Sequence, residues 1–244
     1  MKRMFSTLAL VMGLTFAHAQ SEVLTYAMYL GPIKGGQAQL ITKNVTYNGE
    51  KAVQMDLIAR TTSAAEKIFS LNDTLTTIVN AANQTPLHFQ KHCFEGDDIV
   101  RENVDYTAST GKYTARMRKD YKNGRVKEMT ASSTTPIYDM VSVIALARSM
   151  NPSALTKGMR RNFMLADAAE LHKEVLVYQG METVKVSGQK FNCMVFNLVE
   201  PYTEKGKTKE REILNIYVAD NTDRTIVQMD IKFKVGTAKV KIML

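Results

Sequence analysis

Alternation of apolar and polar residues is sharpest at the C-terminal end of the chain. Val227, Met229, Ile231, Phe233 and Val235 alternate with Gln228, Asp230, Lys232 and Lys234, and after Gly236 the residues Ala238, Val240, Ile242 and Leu244 alternate with Lys239 and Lys241. A period of two puts successive side chains on opposite faces, so the pattern predicts a hairpin with one core face and one wet, basic face. Upstream, Glu22 to Leu30 is aromatic and β-branched and ends at Gly31-Pro32, and Gln37 to Tyr47 and Ala52 to Arg60 flank the hairpin signal Asn48-Gly49. Thr74 to Val79 reads as a strand, Leu87 to Phe94 and Ile99 to Thr107 flank the acidic turn Glu95-Gly96-Asp97-Asp98, and Lys112 to Tyr121 and Arg125 to Thr130 flank Asn123-Gly124. Ala64 to Phe69 has room for one helical turn. Further strands are predicted over Asn162 to Leu165, Glu170 to Tyr178, Thr183 to Val186 and Ile213 to Val218. Lys190 to Val199 carries apolar residues on both faces, which predicts a central strand covered on both sides. Glu204 to Glu212 is almost wholly charged and polar and reads as a solvated hairpin loop.

One segment departs from this period. Pro136 to Pro152 is a helical stretch, with Ile137, Met140, Val141, Ile144 and Arg148 on one stripe and Val143, Leu146 and Met150 on a second. Apolar side chains on most of the circumference demand burial on several sides. Asp139 can cap the helix, or Thr135 can cap one that begins at Pro136; Asn151-Pro152 ends it, because proline pushes its predecessor out of the α region. Strands before and after a central helix predict a mainly β fold: a curved antiparallel sheet or incomplete barrel, with the helix of about 136–150 packed in the concavity.

The first residues change the picture of where this domain works. Lys2 and Arg3 precede the apolar run Leu8 to Phe16, and Ala17-His18-Ala19 places small residues before Gln20, the pattern of a cleaved export signal over residues 1–19. Residues 20–244 then form a single β-rich domain, expected to be periplasmic or secreted, and no later segment has the roughly 18 to 20 apolar residues needed to cross a bilayer. The chain has 32 basic and 24 acidic residues, a formal charge of +8 that loss of Lys2 and Arg3 would lower by two. That balance suits anionic surfaces but not a dedicated nucleic-acid binder. An exported address permits disulfides, and a bond between Cys93 and Cys193 would close a loop of about 100 residues, worth roughly 4.7 kcal/mol by chain entropy. Both cysteines equally fit as small buried hydrophobes in strands.

Candidate chemistry is sparse. His88, His92 and Cys93 have metal-like spacing on a helix, but Pro86, Phe89 and Phe94 favour a strand, on which the two histidines stand about 13 Å apart at roughly 3.3 Å per residue. The acidic run Glu95, Asp97 and Asp98 lacks the spacing of a calcium loop. No Gly-x-Ser-x-Gly elbow is present, and His172 has no evident serine partner. These observations predict a non-enzymatic protein without metal or cofactor, hydrolysis being the minor alternative. Lys232, Lys234, Lys239 and Lys241 would form a basic surface that attracts anionic lipid or acidic glycan, or simply guards a sheet edge.

Tyr138-Asp139-Met140-Val141-Ser142, followed by Ala147-Arg148 and Lys157-Gly158, resembles an uncharacterised family of exported bacterial proteins with a YmcC-like fold. Leu24-Thr25-Tyr26 with Gly31-Pro32-Ile33 and Gly35-Gly36 is similar to that family's first hairpin, and Ile231 to Gly236 to its near-terminal strand. The resemblance implies a curved sheet related in shape to periplasmic lipoprotein carriers, whose concave face holds acyl chains under a helical cover, and an envelope location in a Gram-negative bacterium. It carries no activity to transfer. The expected function is binding of a lipid or other hydrophobic envelope component in a concave apolar face by Met140, Ile144, Arg148, Met194 and Phe196. The alternative is a structural or assembly factor that binds another envelope protein.

Overall fold

Asn48 and Gly49 both adopt positive φ (50° and 84°), as a two-residue hairpin turn requires, and fold the start of the chain into a meander. In the computed structural model, which describes residues 21–63, 65, 71–95, 98–233 and 236–244, that meander comprises eight strands. They are β1 (Glu22–Leu30), β2 (Ile33–Tyr47), β3 (Glu50–Thr61), β4 (Asn72–Asn80), β5 (Pro86–Glu95), β6 (Asp98–Ser109), β7 (Lys112–Tyr121) and β8 (Val126–Ser133). The expected export signal, most of the turn at 64–69, the centre of the acidic turn at 96–97, and Lys234 with Val235 lie outside the described residues.

The short β9 (Ile137–Tyr138), the helix α1 (Met140–Ser149) and a 3-10 turn (Pro152–Ala154) lead to a second wing. It comprises β10 (Arg160–Asp167), β11 (Glu170–Val186), β12 (Gln189–Glu204), β13 (Lys207–Ala219), β14 (Ile226–Phe233) and β15 (Gly236–Ile242). The first and last strands join the wings, with Tyr26 opposite Ile242, so that all fifteen strands make one sheet with β8 at one edge and β9 at the other. Those two edges are consecutive in the chain. The sheet therefore curls into a nearly closed barrel around α1, as the sequence pattern predicts.

A ladder does not seal the remaining seam; charge does. Lys91, Glu102, Lys119 and Lys127 stand opposite one another across β5, β6, β7 and β8, one step from the core row Phe89, Val104 and Met117. The β10–β11 turn docks onto this row. The Ala168 N–H donates to Glu102 Oε2 (2.9 Å), Lys127 Nζ donates to the Ala168 carbonyl (3.3 Å), and Asp167 and Glu170 pair with Lys91 (3.4 Å) and Lys127 (2.6 Å). Ala168 and Ala169 both take positive φ (53° and 55°), a conformation that costs an L-residue roughly 1–2 kcal/mol. The small side chain of Ala169 is buried in the core.

The helix is shorter than the predicted 136–150 stretch. Ile137 and Tyr138 are instead drawn into a parallel bridge with Met164 and Leu165 of β10, and Asp139 is the cap. Asp139 Oδ1 accepts from the Val141 and Ser142 amides (3.0 and 2.8 Å), its own N–H donates to Ser142 Oγ (2.8 Å), and Thr77 Oγ1 of β4 donates to Oδ2 (2.9 Å). Val141 and Val143 to Ala147 are buried, with α1 against β3, β4, β10 and β13.

Burial pushes the Asp139 carboxyl up to about 6 against the pull of these hydrogen bonds. Its folded pKa lies above the unfolded value, so its contribution is complete in acid and is lost as pH rises from 4 through 6, roughly 3 kcal/mol by linkage. Asp139→Asn keeps an acceptor for the helix amides and removes the titration. The variant should therefore gain on the parent by that amount between pH 4 and 7 in urea unfolding; parallel pH profiles would show that the carboxylate is not penalised.

Two further expectations change. Glu204 to Glu212 is not a loop: β12 and β13 stay paired to Glu204 opposite Lys207, because opposite charges meet across the strands at Glu200–Arg211 and Glu204–Lys209. The outer face of β14 is not wet at Gln228 and Asp230, both of which are buried; Gln228 Nε2 and Tyr217 Oη donate to the Asp230 carboxylate (2.8 and 3.4 Å). Cys93 on β5 and Cys193 on β12 are both buried and not bonded to each other, and burial pushes the Cys193 thiol up to about 11.

Candidate functional site

Past the last turn of α1 the chain leaves the barrel wall unfilled. Asn151-Pro152 ends the helix, and the segment up to Met159 crosses back to the start of β10 with little regular structure. Between this segment and the inner faces of β10, β11 and β12 lies a cavity of about 460 Å³, within the roughly 300–1,000 Å³ of small-molecule sites. Its apolar wall is Met150, Leu155, Met159, Leu176, Tyr178 and Phe196. Arg160 and Arg161 stand at its edge. Arg160 is paired with Glu210 of β13. Arg161 lies opposite Leu176, on the cavity side of β10, is exposed, and has no ion pair among the described residues. An apolar recess with one uncommitted guanidinium at its rim can hold an aliphatic or aromatic body and meet an acidic head with a bidentate hydrogen bond.

The five expected binding residues are spread more widely. Ile144 and Met194 are buried in the core, and half-buried Met140 packs against it; none of the three lines the cavity. Phe196 does line it, with Tyr178 tilted against its ring at 5.4 Å. Arg148 is committed elsewhere: it pairs with Glu22 (2.7 Å) and donates to the Arg224 and Asp223 carbonyls (3.1 and 2.8 Å), tying the helix end to β1 and the β13–β14 turn. Met150, expected beside the cavity at the end of the helix, does line it, and the residues that the sequence reading omits are Leu155, Met159, Arg161, Leu176 and Tyr178. Their one sequence signal is an apolar-and-basic run, Met159-Arg160-Arg161, directly after an irregular segment.

Glu174 lies next along the inner face from Leu176, opposite Phe163. It is buried and its Oε2 has no hydrogen-bond partner. Burial first, and then the neighbouring Glu200 charge, push its carboxyl up to about 8, with Arg211 opposing. At neutral pH this group is largely a neutral acid.

The basic residues divide. Lys239 and Lys241 of β15 share an outer groove of about 480 Å³ with Lys34 of β2 and Lys185 at the tip of the β11–β12 hairpin. Lys232 lies 3.9 Å from Glu212 and is not part of it. His88 and His92 fall on β5, where His88 Nδ1 meets Asp105 (2.7 Å) and the Arg101 Nε–H donates to His92 Nε2 (3.4 Å). No helix among the described residues is long and apolar enough to cross a membrane.

The profile of the family described as "Protein of unknown function (DUF3108)" matches residues 25–243. Among solved structures, the chain is similar to a beta-barrel-like protein of domain of unknown function DUF1849 from Brucella abortus. The two share 11% sequence identity over 92% of this chain and 96% of that one, with a TM-score of 0.55. At that identity the likeness is one of fold. No curated relative matches the sequence.

Proposed function

The chain belongs to the DUF3108 family of proteins of unknown function, and on that premise we propose that it is a non-enzymatic binding module for an anionic amphiphile of the bacterial envelope. The observation that carries this reading is the recess at the end of α1, apolar in its walls and bordered by Arg161. The acyl or aromatic portion lies against Met150, Leu155, Leu176 and Phe196; the acidic head lies at Arg161, with Arg160 nearby. Met150 and Met159 suit such a site because unbranched thioethers adapt to chains of different shape. The predicted export signal supports a periplasmic or secreted location.

A second reading, an assembly factor for another envelope protein, draws on the edge strand β8, where Val126 and Met129 are exposed. An extended partner segment can add to such an edge. Native mass spectrometry of protein purified without detergent separates the two: a bound amphiphile is expected under the first reading and none under the second. A fluorescent fatty acid should bind, and Arg161→Glu should weaken it about tenfold or more, as loss of a charge-assisted hydrogen bond implies. The methyl ester should be nearly indifferent to that substitution. Failure of both acid and ester to bind at micromolar concentration overturns the amphiphile reading.

A further inference from the structure

Lys34, Lys185, Lys239 and Lys241 come from three separate parts of the sequence, yet all line one open groove on the outside of the barrel. None of them has an ion pair among the described residues, whereas Lys91, Lys119, Lys127 and Lys209 each face a carboxylate. Asp230, directly opposite Lys239 on the neighbouring strand, forms no ion pair with it. Its oxygens are buried and accept from Gln228 and Tyr217. The groove is therefore a concentration of uncommitted positive charge.

Its surroundings give the second half of the argument. Met243 and Leu244 line the groove and are 42% and 64% exposed. Large aliphatic side chains beside a lysine cluster do not favour a small soluble anion, which would leave them in water. They match a bilayer surface, where apolar side chains enter the boundary between headgroups and acyl chains while lysines remain at the phosphates.

We propose that this groove docks the protein on an anionic phospholipid surface, with Lys34, Lys185, Lys239 and Lys241 at the phosphate level and Met243 and Leu244 reaching into the interface. The contact lies on the outer face of β1 and β15 and is separate from the cavity at the end of α1, so the two readings stand or fall independently.

The test is co-sedimentation of the full chain with phosphatidylcholine vesicles and with vesicles in which phosphatidylglycerol is mixed in. Binding is expected to the mixed vesicles alone and should fall with salt, since the Debye length shrinks to about 8 Å at physiological ionic strength. Lys185→Glu with Lys239→Glu should reduce partitioning about tenfold or more. Both side chains are exposed, so the reversals leave the core intact. Lys51→Glu with Lys112→Glu changes net charge equally on exposed positions elsewhere and should leave binding within about twofold. Met243→Ser with Leu244→Ser should weaken vesicle binding while leaving its salt slope unchanged. Equal binding to neutral vesicles, equal loss in the Lys51 and Lys112 control, or displacement by free glycerol phosphate would each overturn the proposal, the last in favour of a soluble-anion site.

Discussion

Glu102→Ala should destabilise the protein by roughly 3–5 kcal/mol, the usual consequence of removing one partner from a buried ion pair. Glu102 is 2% exposed and sits between Lys119 (3.3 Å) and Lys91 (3.6 Å), while its second oxygen accepts from the Ala168 amide. The substitution strands Lys119 on the inner face, leaves Lys91 with Asp167 alone, and leaves an N–H of the β10–β11 turn without its acceptor. It also removes one of the two hydrogen bonds that tie Ala168, in the left-handed region, to this row, Lys127 keeping the other. Urea denaturation measures the loss, and hydrogen exchange should locate its onset at the β10–β11 turn rather than in the β1–β15 pairing. Glu102→Gln preserves an acceptor for Ala168 but not the charge, so it should fall between parent and alanine variant. A loss below about 1 kcal/mol for Glu102→Ala, the range of exposed pairs, would mean that the seam contributes nothing beyond surface electrostatics.

That row of charges also marks where the sequence stops being legible. Asn48-Gly49 and Asn123-Gly124 announce their hairpins because turn chemistry is local, whereas the helix start stays open between Asp139 and Thr135 because both are capping residues and only the pairing of Ile137 and Tyr138 with β10 decides for Asp139. Lys91, Glu102, Lys119 and Lys127 look like the polar side of ordinary strands; only the return of a turn from the other wing makes them an interior latch. The same holds for Gln228 and Asp230, whose alternation with Val227 and Met229 predicts a wet face. The tip of the long β11–β12 hairpin, at Lys185 to Ser187, comes to lie beside that side of the sheet, along the groove on β1 and β15. Nothing in the alternating pattern of β1 or β15 names the other as its partner. The cavity escaped for a related reason. Its wall is built by an irregular segment, Asn151 to Met159, that has no periodicity to read, and by Phe196, on a strand whose pattern predicts cover on both faces.

The widest pH effect is expected from Glu174, and it bears on the cavity because Glu174 follows Leu176 on the same inner face. Its folded pKa of about 8 lies above the ordinary 4.5, so the folded state binds the additional proton throughout the interval between them. Stability contributed by this group is complete below about pH 4.5 and falls as pH rises through 8, by roughly 5 kcal/mol in all. Glu174→Gln has the same shape and no charge. The variant should match the parent at pH 5 and exceed it increasingly up to pH 9 in urea unfolding. Ligand binding adds an independent check. Ionised Glu174 brings negative charge toward the side of the recess where an acidic head would be held, so fatty-acid affinity of the parent should decline between pH 7 and 9 while that of Glu174→Gln remains flat. Arg161→Glu, by contrast, should weaken the acid at every pH. If both proteins lose stability and affinity in parallel as pH rises, the buried carboxyl is already ionised at neutrality, and Arg211 rather than burial governs its charge.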